Sequence, residues 1–287
     1  MQLITWNIQW GRGCDGRVDL ARIARVLRET GDADVVCLQE VAVNFAELAG
    51  SSGEDQVALL SLAFPGYAAL FGAGTDLPDA QGERRRFGNL VLSRLPVLQV
   101  WRHPLPWPPD PAVPSMQRTC VEAVVMSRGG PLRVMTTHLE YYSALQRAAQ
   151  VEALRDLHRQ ACAHARRPRA DKSGSASDAP FAVYPRPDSA ILCGDFNFEI
   201  GDAEYGVMQT ESPTGLSTLR DAWPLMHGDA PHAPTFRLFD KRYGPVPICC
   251  DFVFVSSNLQ RQVRALLVDG QTQVSDHQPV LLELGPD

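Results

Sequence analysis

No apolar run in this chain approaches the ~20 residues needed to span a bilayer. That excludes a helical membrane protein as the simple reading. Basic charge is also scarce. The 287 residues carry 27 Lys and Arg against 33 Asp and Glu, a formal charge of −6. Non-specific DNA binders usually present a broad basic face, and none is expected here. The densest basic run, Arg84-Arg85-Arg86, reads as a solvated loop. The seven cysteines are odd in number and include no C-x-x-C pair. Cys37 and Cys193 sit in apolar runs as buried hydrophobes, and Cys249-Cys250 are too close together to bridge each other. A reducing, cytoplasmic setting fits this pattern. Met1-Gln2-Leu3-Ile4 leaves no room for a charged and then an apolar leader region, so no signal peptide is expected. Internal repeats are lacking too.

What is present is an ordinary globular composition, 45% hydrophobic and 21% charged. Six short islands stand out within it. They are Ile4-Thr5-Trp6-Asn7, Val35 to Glu40, Gly88-Asn89 before Leu90 to Arg94, Thr136-Thr137-His138-Leu139, Gly194-Asp195-Phe196-Asn197 and Ser275-Asp276-His277. Most end an apolar run with a polar residue suited to phosphate-ester chemistry. Val35, Val36, Cys37 and Leu38 lack alternation, so both faces of that strand should be buried. A buried strand that stops at Gln39-Glu40 delivers a carboxylate to the sheet edge. Ile191 to Asp195 and Leu132 to His138 follow the same plan, which is a common way to build an active site.

The order of these motifs resembles the endonuclease/exonuclease/phosphatase superfamily, the deoxyribonuclease-I-like hydrolases. LITWN, LQEV, GNLVLSR, THL, GDFN and SDHQPV carry the resemblance, with the Asp251-Phe252-Val253-Phe254-Val255 strand, from about Leu3 to Leu284. GDFN and SDH are the most specific. With Glu140 the fourth island reads THLE, which is also similar to the 5′-tyrosyl-DNA phosphodiesterases of this superfamily. Those enzymes carry another residue where Phe196 stands. The resemblance implies an α/β (α+β) fold, a four-layer αββα sandwich of two central mixed β-sheets flanked by helices. It implies a phosphoester hydrolase that uses Mg²⁺ or Mn²⁺.

Because the islands span the chain, one domain over 1–287 is expected. Asp19 should open a helix with Leu20, Ile23, Val26 and Leu27 on one face, ended by Gly31. Val41 to Ala69 reads as mostly helical, broken at Gly50 to Gly53. Phe71 to Arg86 reads as a loop. Six prolines between Trp101 and Arg118 argue against regular structure there. Ser143 to Gln146 reads as a capping box. Its helix should run to about Ala165, with Leu145, Ala148, Val151, Leu154 and Leu157 near the inward face. The stretch at about 166–188 is expected to be a mobile insertion, dispensable for chemistry, with Phe181, Val183 and Tyr184 tacking its end down.

Phosphoester hydrolysis needs a metal, an oriented water and charge stabilisation at the non-bridging oxygens. Glu40 is the leading metal ligand. Asn7 is a neutral oxygen donor to the metal, or a hydrogen-bond partner for Glu40. The resemblance assigns the rest. Asp195 orients or deprotonates the attacking water, Asn197 and His138 donate to the phosphate, and Asp251 hydrogen-bonds His277 and favours its imidazolium. Asp276 becomes a second carboxylate at the metal, and Asn89 supports the site. Arg118 can reach a phosphate, and Trp107 can stack on a base or pack on a lipid chain. Two choices stay open: whether Asp195 or His277 takes the water's proton, and whether one metal or two bind. A nuclease-type phosphodiesterase ranks first, with a compact phosphodiester preferred over long duplex DNA. The alternatives are a lipid-headgroup or small-molecule phosphodiesterase or phosphatase, and an inactive binding module. Against the last, Glu40, Asp195 and His277 are all present. A monomer is the working expectation.

Overall fold

The computed structural model describes residues 1–167, 181–211 and 215–285. Two six-stranded sheets lie face to face. The first has the order β11-β12-β1-β2-β4-β3, from Val263–Val268, Val280–Leu284, Gln2–Asn7, Val35–Val43, Arg84–Ser93 and Ala68–Pro78. The second runs β5-β6-β7-β8-β10-β9, from Val97–Pro104, Thr119–Ser127, Gly130–His138, Ala190–Asp195, Asp251–Ser256 and Leu219–Asp221. Each sheet is mixed, with one parallel pair, β1–β2 or β7–β8. Helix α1 (Leu20–Thr30) joins the first pair and α3 (Ala144–Arg166) the second. Helices α2 (Gln56–Ala63), α4 (Ala203–Met208) and α5 (Ala222–His227) complete the set.

Strand parity explains the uninterrupted apolar runs. Leu3, Val35, Cys37, Val134, Ile191, Cys193 and Val253 meet between the sheets. Ile4, Trp6, Val36 and Leu38 point the other way, under α1 and α2. Met135, Leu192, Phe252 and Phe254 do the same under α3 and α4. Both faces of each central strand are therefore core, as four layers require. Burying each large side chain contributes roughly 1.5–3 kcal/mol. Asp19 caps α1 by accepting from the Arg22 amide, and Ile23, Ala24, Val26 and Leu27 form its buried face. No helix among the described residues is long and apolar enough to cross a membrane.

Several local expectations are corrected. Strand β2 continues through Val43, where Val41, Ala42 and Val43 pair with Gly88, Phe87 and Arg86, so the helix after it is confined to α2. The expected loop from Phe71 to Arg86 is the hairpin β3–β4, turned at Asp79, whose carboxylate accepts from the Gln81 and Glu83 amides. Its glycines mark close approach rather than irregularity. A Cβ on Gly74 would sit 2.3 Å from the Gln117 carbonyl oxygen. Arg84 and Arg85 pair with Asp76 and Glu47, so the basic run is locally balanced. Trp101 to Pro104 belongs to β5, an edge strand, which tolerates proline. Ser143 caps α3, but the reciprocal half of the box is replaced: Gln146 Nε2 donates to the Pro108 carbonyl and Ser115 Oγ. The proline-rich segment lies across the start of α3, burying Gln146 and Gln150 while Leu145 and Ala148 stay exposed. The expected insertion at about 166–188 lies mostly outside the described residues. Phe181, Val183 and Tyr184, which are described, are exposed.

Candidate active site

Parity also aims the polar strand ends. Asn7, His138, Asp195 and Asp251 fall on the same faces as the inter-sheet apolar residues, so they enter the gap where the strands stop. Glu40 has the wrong parity and reaches the gap by a different device. A bulge in β2 between Leu38 and Val41 places Glu40 at φ +58. Gln39 and Glu40 thus both face inward before Val41 returns to the outer core. Below them Gln39 Nε2 donates to Thr5 Oγ1 and Thr136 Oγ1, tying the two sheets together. On the facing sheet Gly194 is required by space. A Cβ there would lie 2.0 Å from the Thr137 carbonyl oxygen.

The predicted residues converge. Asn7 Nδ2 donates to Glu40 Oε1 at 3.1 Å and to Asp195 Oδ2 at 3.0 Å. The same Asp195 oxygen lies 3.5 Å from His138 Nε2 and 3.7 Å from His277 Nε2. His277 Nδ1 donates to Asp251 Oδ2 at 2.8 Å. Asn197, at φ +51, folds its backbone amide onto Asp195 Oδ1 and gives one side-chain N–H to the Leu139 carbonyl. Asp276 accepts from Gln9 Nε2 at 2.5 Å. Asn89 is held by the Thr119 carbonyl, and Arg118 by the buried Glu140 carboxylate at 3.1 Å. Both line a small cavity that adjoins the cleft beside Glu40 and His138. Trp107 stands apart. It is half-exposed, bonded to Ser115 Oγ, and absent from the residues that line the cleft.

Electrostatics separate the two histidines. Burial and the nearby Arg118 push His138 down to about 3, so it is neutral. Burial also works against protonation of His277, but the Asp251, Asp195 and Asp276 carboxylates outweigh it and raise its pKa to about 10. Glu40 is raised to about 7 by burial and by the Asp276 and Asp195 charges, partly offset by Asn7 and His277. Asp276 is raised by burial as well.

Carboxylates crowded at such a cost form a site that a hard cation would relieve, and Glu40 and Asp276 with the amide oxygen of Asn7 are the donors Mg²⁺ or Mn²⁺ takes. As placed, that oxygen accepts from the Gln9 amide, so Asn7 serves as the hydrogen-bond partner of Glu40. A tighter trio, Asp195, Cys250 and His277, has its ligating atoms within 4.8 Å. It suits a cation poorly, because His277 is itself an imidazolium and burial holds the Cys250 thiol protonated.

Sequence reasoning missed the supports. Phe236 stacks on His277 with ring centroids 4.3 Å apart. Thr235 Oγ1 accepts from the Cys250 and Asp251 amides. Trp6 Nε1 donates to the His277 carbonyl. Tyr141, Tyr142 and Tyr243 line the cleft. The Tyr141-Tyr142 doublet just past a polar strand end was the available signal; Phe236 and Thr235 sit in a segment without periodicity.

The fold has solved counterparts. An endonuclease/exonuclease/phosphatase from Beutenbergia cavernae DSM 12333 is 27% identical, covering 99% of this chain and 72% of that one, with a TM-score of 0.64. The mannosyl-6-phosphatase Bt3783 of Bacteroides thetaiotaomicron VPI-5482 is 19% identical over all of both chains, with a TM-score of 0.65. The 3′ phosphatase NExo from Neisseria, bound to product DNA hairpin, is also 19% identical over all of both chains, at 0.60. No curated protein matches at a significant level. The sequence model of the Endonuclease/Exonuclease/phosphatase family matches residues 4–277. With that match added to the two-sheet fold, the chain belongs to the endonuclease/exonuclease/phosphatase family of phosphoric ester hydrolases.

Proposed function

We propose that the protein is a Mg²⁺- or Mn²⁺-dependent phosphodiesterase of nuclease type. The observation that carries this reading is the Asp195 carboxylate, met by Asn7 and His277 from the first sheet and by His138 from its own. A bound Mg²⁺ or Mn²⁺, held by Glu40 and Asp276 with Asn7 beside them, supplies charge stabilisation at the phosphate oxygens. Asp195 takes the proton of the attacking water, because His277 is bonded to the Asp251 carboxylate, which favours its imidazolium. The His277 imidazolium, oriented by Asp251, the His138 N–H and the second amide hydrogen of Asn197 donate to phosphate oxygens. Water enters in line, opposite the leaving ester oxygen. Since the site draws on residues from 7 to 277, the chain is read as one catalytic domain, to which the stretch at 166–188 contributes none of the residues named.

Two features bear on substrate. The acidic chain balances its one dense arginine run with Asp76 and Glu47, which favours a compact phosphodiester over long duplex DNA. Among similar structures, one is a 3′ phosphatase bound to product DNA and one a mannosyl-6-phosphatase, so a small phosphate ester is the second reading. The described cysteines are all free, in keeping with a reducing, cytoplasmic location. The test is hydrolysis of plasmid, short single strands, and sphingomyelin-type or phosphoinositide substrates at fixed salt, with Mg²⁺, Mn²⁺ or EDTA. Rapid plasmid nicking with a steep salt dependence and little turnover of small substrates would reverse the substrate ranking. Full activity in EDTA would end the metal assignment.

A further inference from the structure

Two loops that are remote in sequence place three tyrosines together at the mouth of the cleft. Tyr141 and Tyr142 follow β7; Tyr243 lies between Phe236 and β10. The Tyr141 and Tyr142 ring centroids are 4.8 Å apart at 88°, and those of Tyr141 and Tyr243 are 6.4 Å apart at 72°. Each tyrosine is between 40% and 55% exposed. Single exposed aromatics are ordinary. Three joined through Tyr141, lining the same cleft as Asp195, Asn197 and His277, are not.

The cluster is also held in shape. Arg147 Nη1 donates to the Glu140 and Tyr141 carbonyls, and the Tyr142 amide donates to Glu140 Oε1. On the other loop Arg237 donates to the Tyr243 carbonyl and lies over Phe236, which stacks on His277. The tyrosines are thus braced on Glu140 at one end and on a catalytic histidine at the other. A platform rigid before binding loses little entropy on binding.

We propose that Tyr141, Tyr142 and Tyr243 form a subsite for a nucleobase attached to the substrate beside the scissile phosphate. This rests on the phosphodiesterase reading for the position of the phosphate. Rings meeting near right angles make a corner, which receives a flat group against one face and along one edge. A nucleobase suits it, because its faces are apolar while its rim can meet water and the polar floor. An acyl chain would need a longer apolar groove, whereas this cleft is also lined by Asp195, Asn197 and Asp276.

The test compares thymidine 5′-monophosphate p-nitrophenyl ester with methyl p-nitrophenyl phosphate. Both release p-nitrophenolate and differ in the nucleoside. The wild type is expected to favour the thymidine ester by about 10-fold or more in kcat/KM, a modest share of what base stacking supplies. Tyr141→Leu and Tyr243→Leu shrink that ratio several-fold, mainly through KM, whereas Tyr243→Phe keeps it. A ratio unmoved by the leucine variants, or lost equally in Tyr243→Phe, overturns the subsite. Calorimetric binding of thymidine 5′-monophosphate separates it from the reaction. Binding weakened by the leucine variants, with neither ester hydrolysed, supports the subsite and defeats the phosphodiesterase. Equal hydrolysis of both esters without binding does the reverse.

Discussion

Each sheet contains one parallel pair, β1–β2 in the first and β7–β8 in the second, and each pair is joined by its own covering helix, α1 or α3. In both, the register brings two polar residues level at the carboxyl end, Asn7 with Gln39 and His138 with Asp195. From there the two units differ. Strands β7 and β8 stop, so His138 and Asp195 reach the gap by parity alone. Strand β2 continues past Gln39 to Val43, and only the bulge turns Glu40 inward. The first unit supplies a carboxylate whose pKa is raised to about 7. The second supplies a neutral histidine beside the Asp195 carboxylate. On the proposed reading the two parallel pairs divide the work: charge binding at Glu40 in the first, the water's proton at Asp195 in the second.

Breaking the pair Asp195 and His277, one from β8 and one from the β11–β12 connection, should give the largest effect. Asp195→Asn and His277→Ala are each expected to lower kcat by at least ~10²-fold, the scale of losing a general base or a charge-stabilising donor. The Mg²⁺ concentration at half-maximal rate should move little in Asp195→Asn. Near-wild-type turnover in either variant would remove these residues from the reaction.

Breaking the first unit should read out differently. Glu40→Gln keeps the shape and removes the charge. We expect it to raise the half-maximal Mg²⁺ or Mn²⁺ concentration by roughly 10-fold or more. The same variant should abolish the metal-induced rise in melting temperature that the wild type shows by linkage. A Glu40→Gln protein still stabilised normally by Mg²⁺ would show that the division between the two pairs is wrong.

A second buried polar cluster sharpens the contrast. Behind β7, Arg133 pairs with Glu122 and gives an N–H to His158 Nδ1, while His158 Nε2 donates to the Ser217 carbonyl. Arg133, Glu122 and His158 are all buried, and the expected role of the cluster is stability. Burial and the Arg133 charge lower His158 to about 4, against 6.5 for an ordinary histidine. Above pH 6.5 neither the native nor the unfolded state carries this proton. As pH falls from 6.5 towards 4, the unfolded chain binds a proton that the native state refuses, and stability is lost. At pH 5 the loss is about 2 kcal/mol. His138 acts in the same direction. His277, raised to about 10, contributes stability below 6.5 that disappears as pH rises through 10. Urea unfolding of the metal-free protein at pH 7.5 and pH 5 should show His158→Gln losing about 2 kcal/mol less than wild type. Equal losses would place the acid sensitivity elsewhere.

The contrast between the units also explains what the sequence made legible. GDFN, THL and TWN could be read because their strands run straight to the polar residue and parity does the rest. Glu40 was found as a strand-end carboxylate, but its strand does not end there, and nothing local announces a bulge. The β3–β4 hairpin was hidden because Gly72 and Gly74 look like loop residues until β6 and the two residues before it are packed against them. Pro104 disguised an edge strand. Phe236 and Thr235 act through contacts that exist only once the chain from Asp221 to Asp251 has folded over His277.

Trp107 marks the smallest expected effect. The sequence offers it to stack on a base or pack on a lipid chain, but it is not among the residues that line the cleft. Its indole donates to Ser115 Oγ, the same hydroxyl that accepts from Gln146 at the start of α3. The ring therefore pins the proline-rich segment to the helix, outside the catalytic cleft. With the ring half-exposed, Trp107→Ala should cost about 1 kcal/mol or less in unfolding free energy. It should change kcat/KM on both p-nitrophenyl esters by less than about 2-fold. A 10-fold loss confined to the thymidine ester would extend the base subsite from the β7–α3 loop to the proline-rich segment.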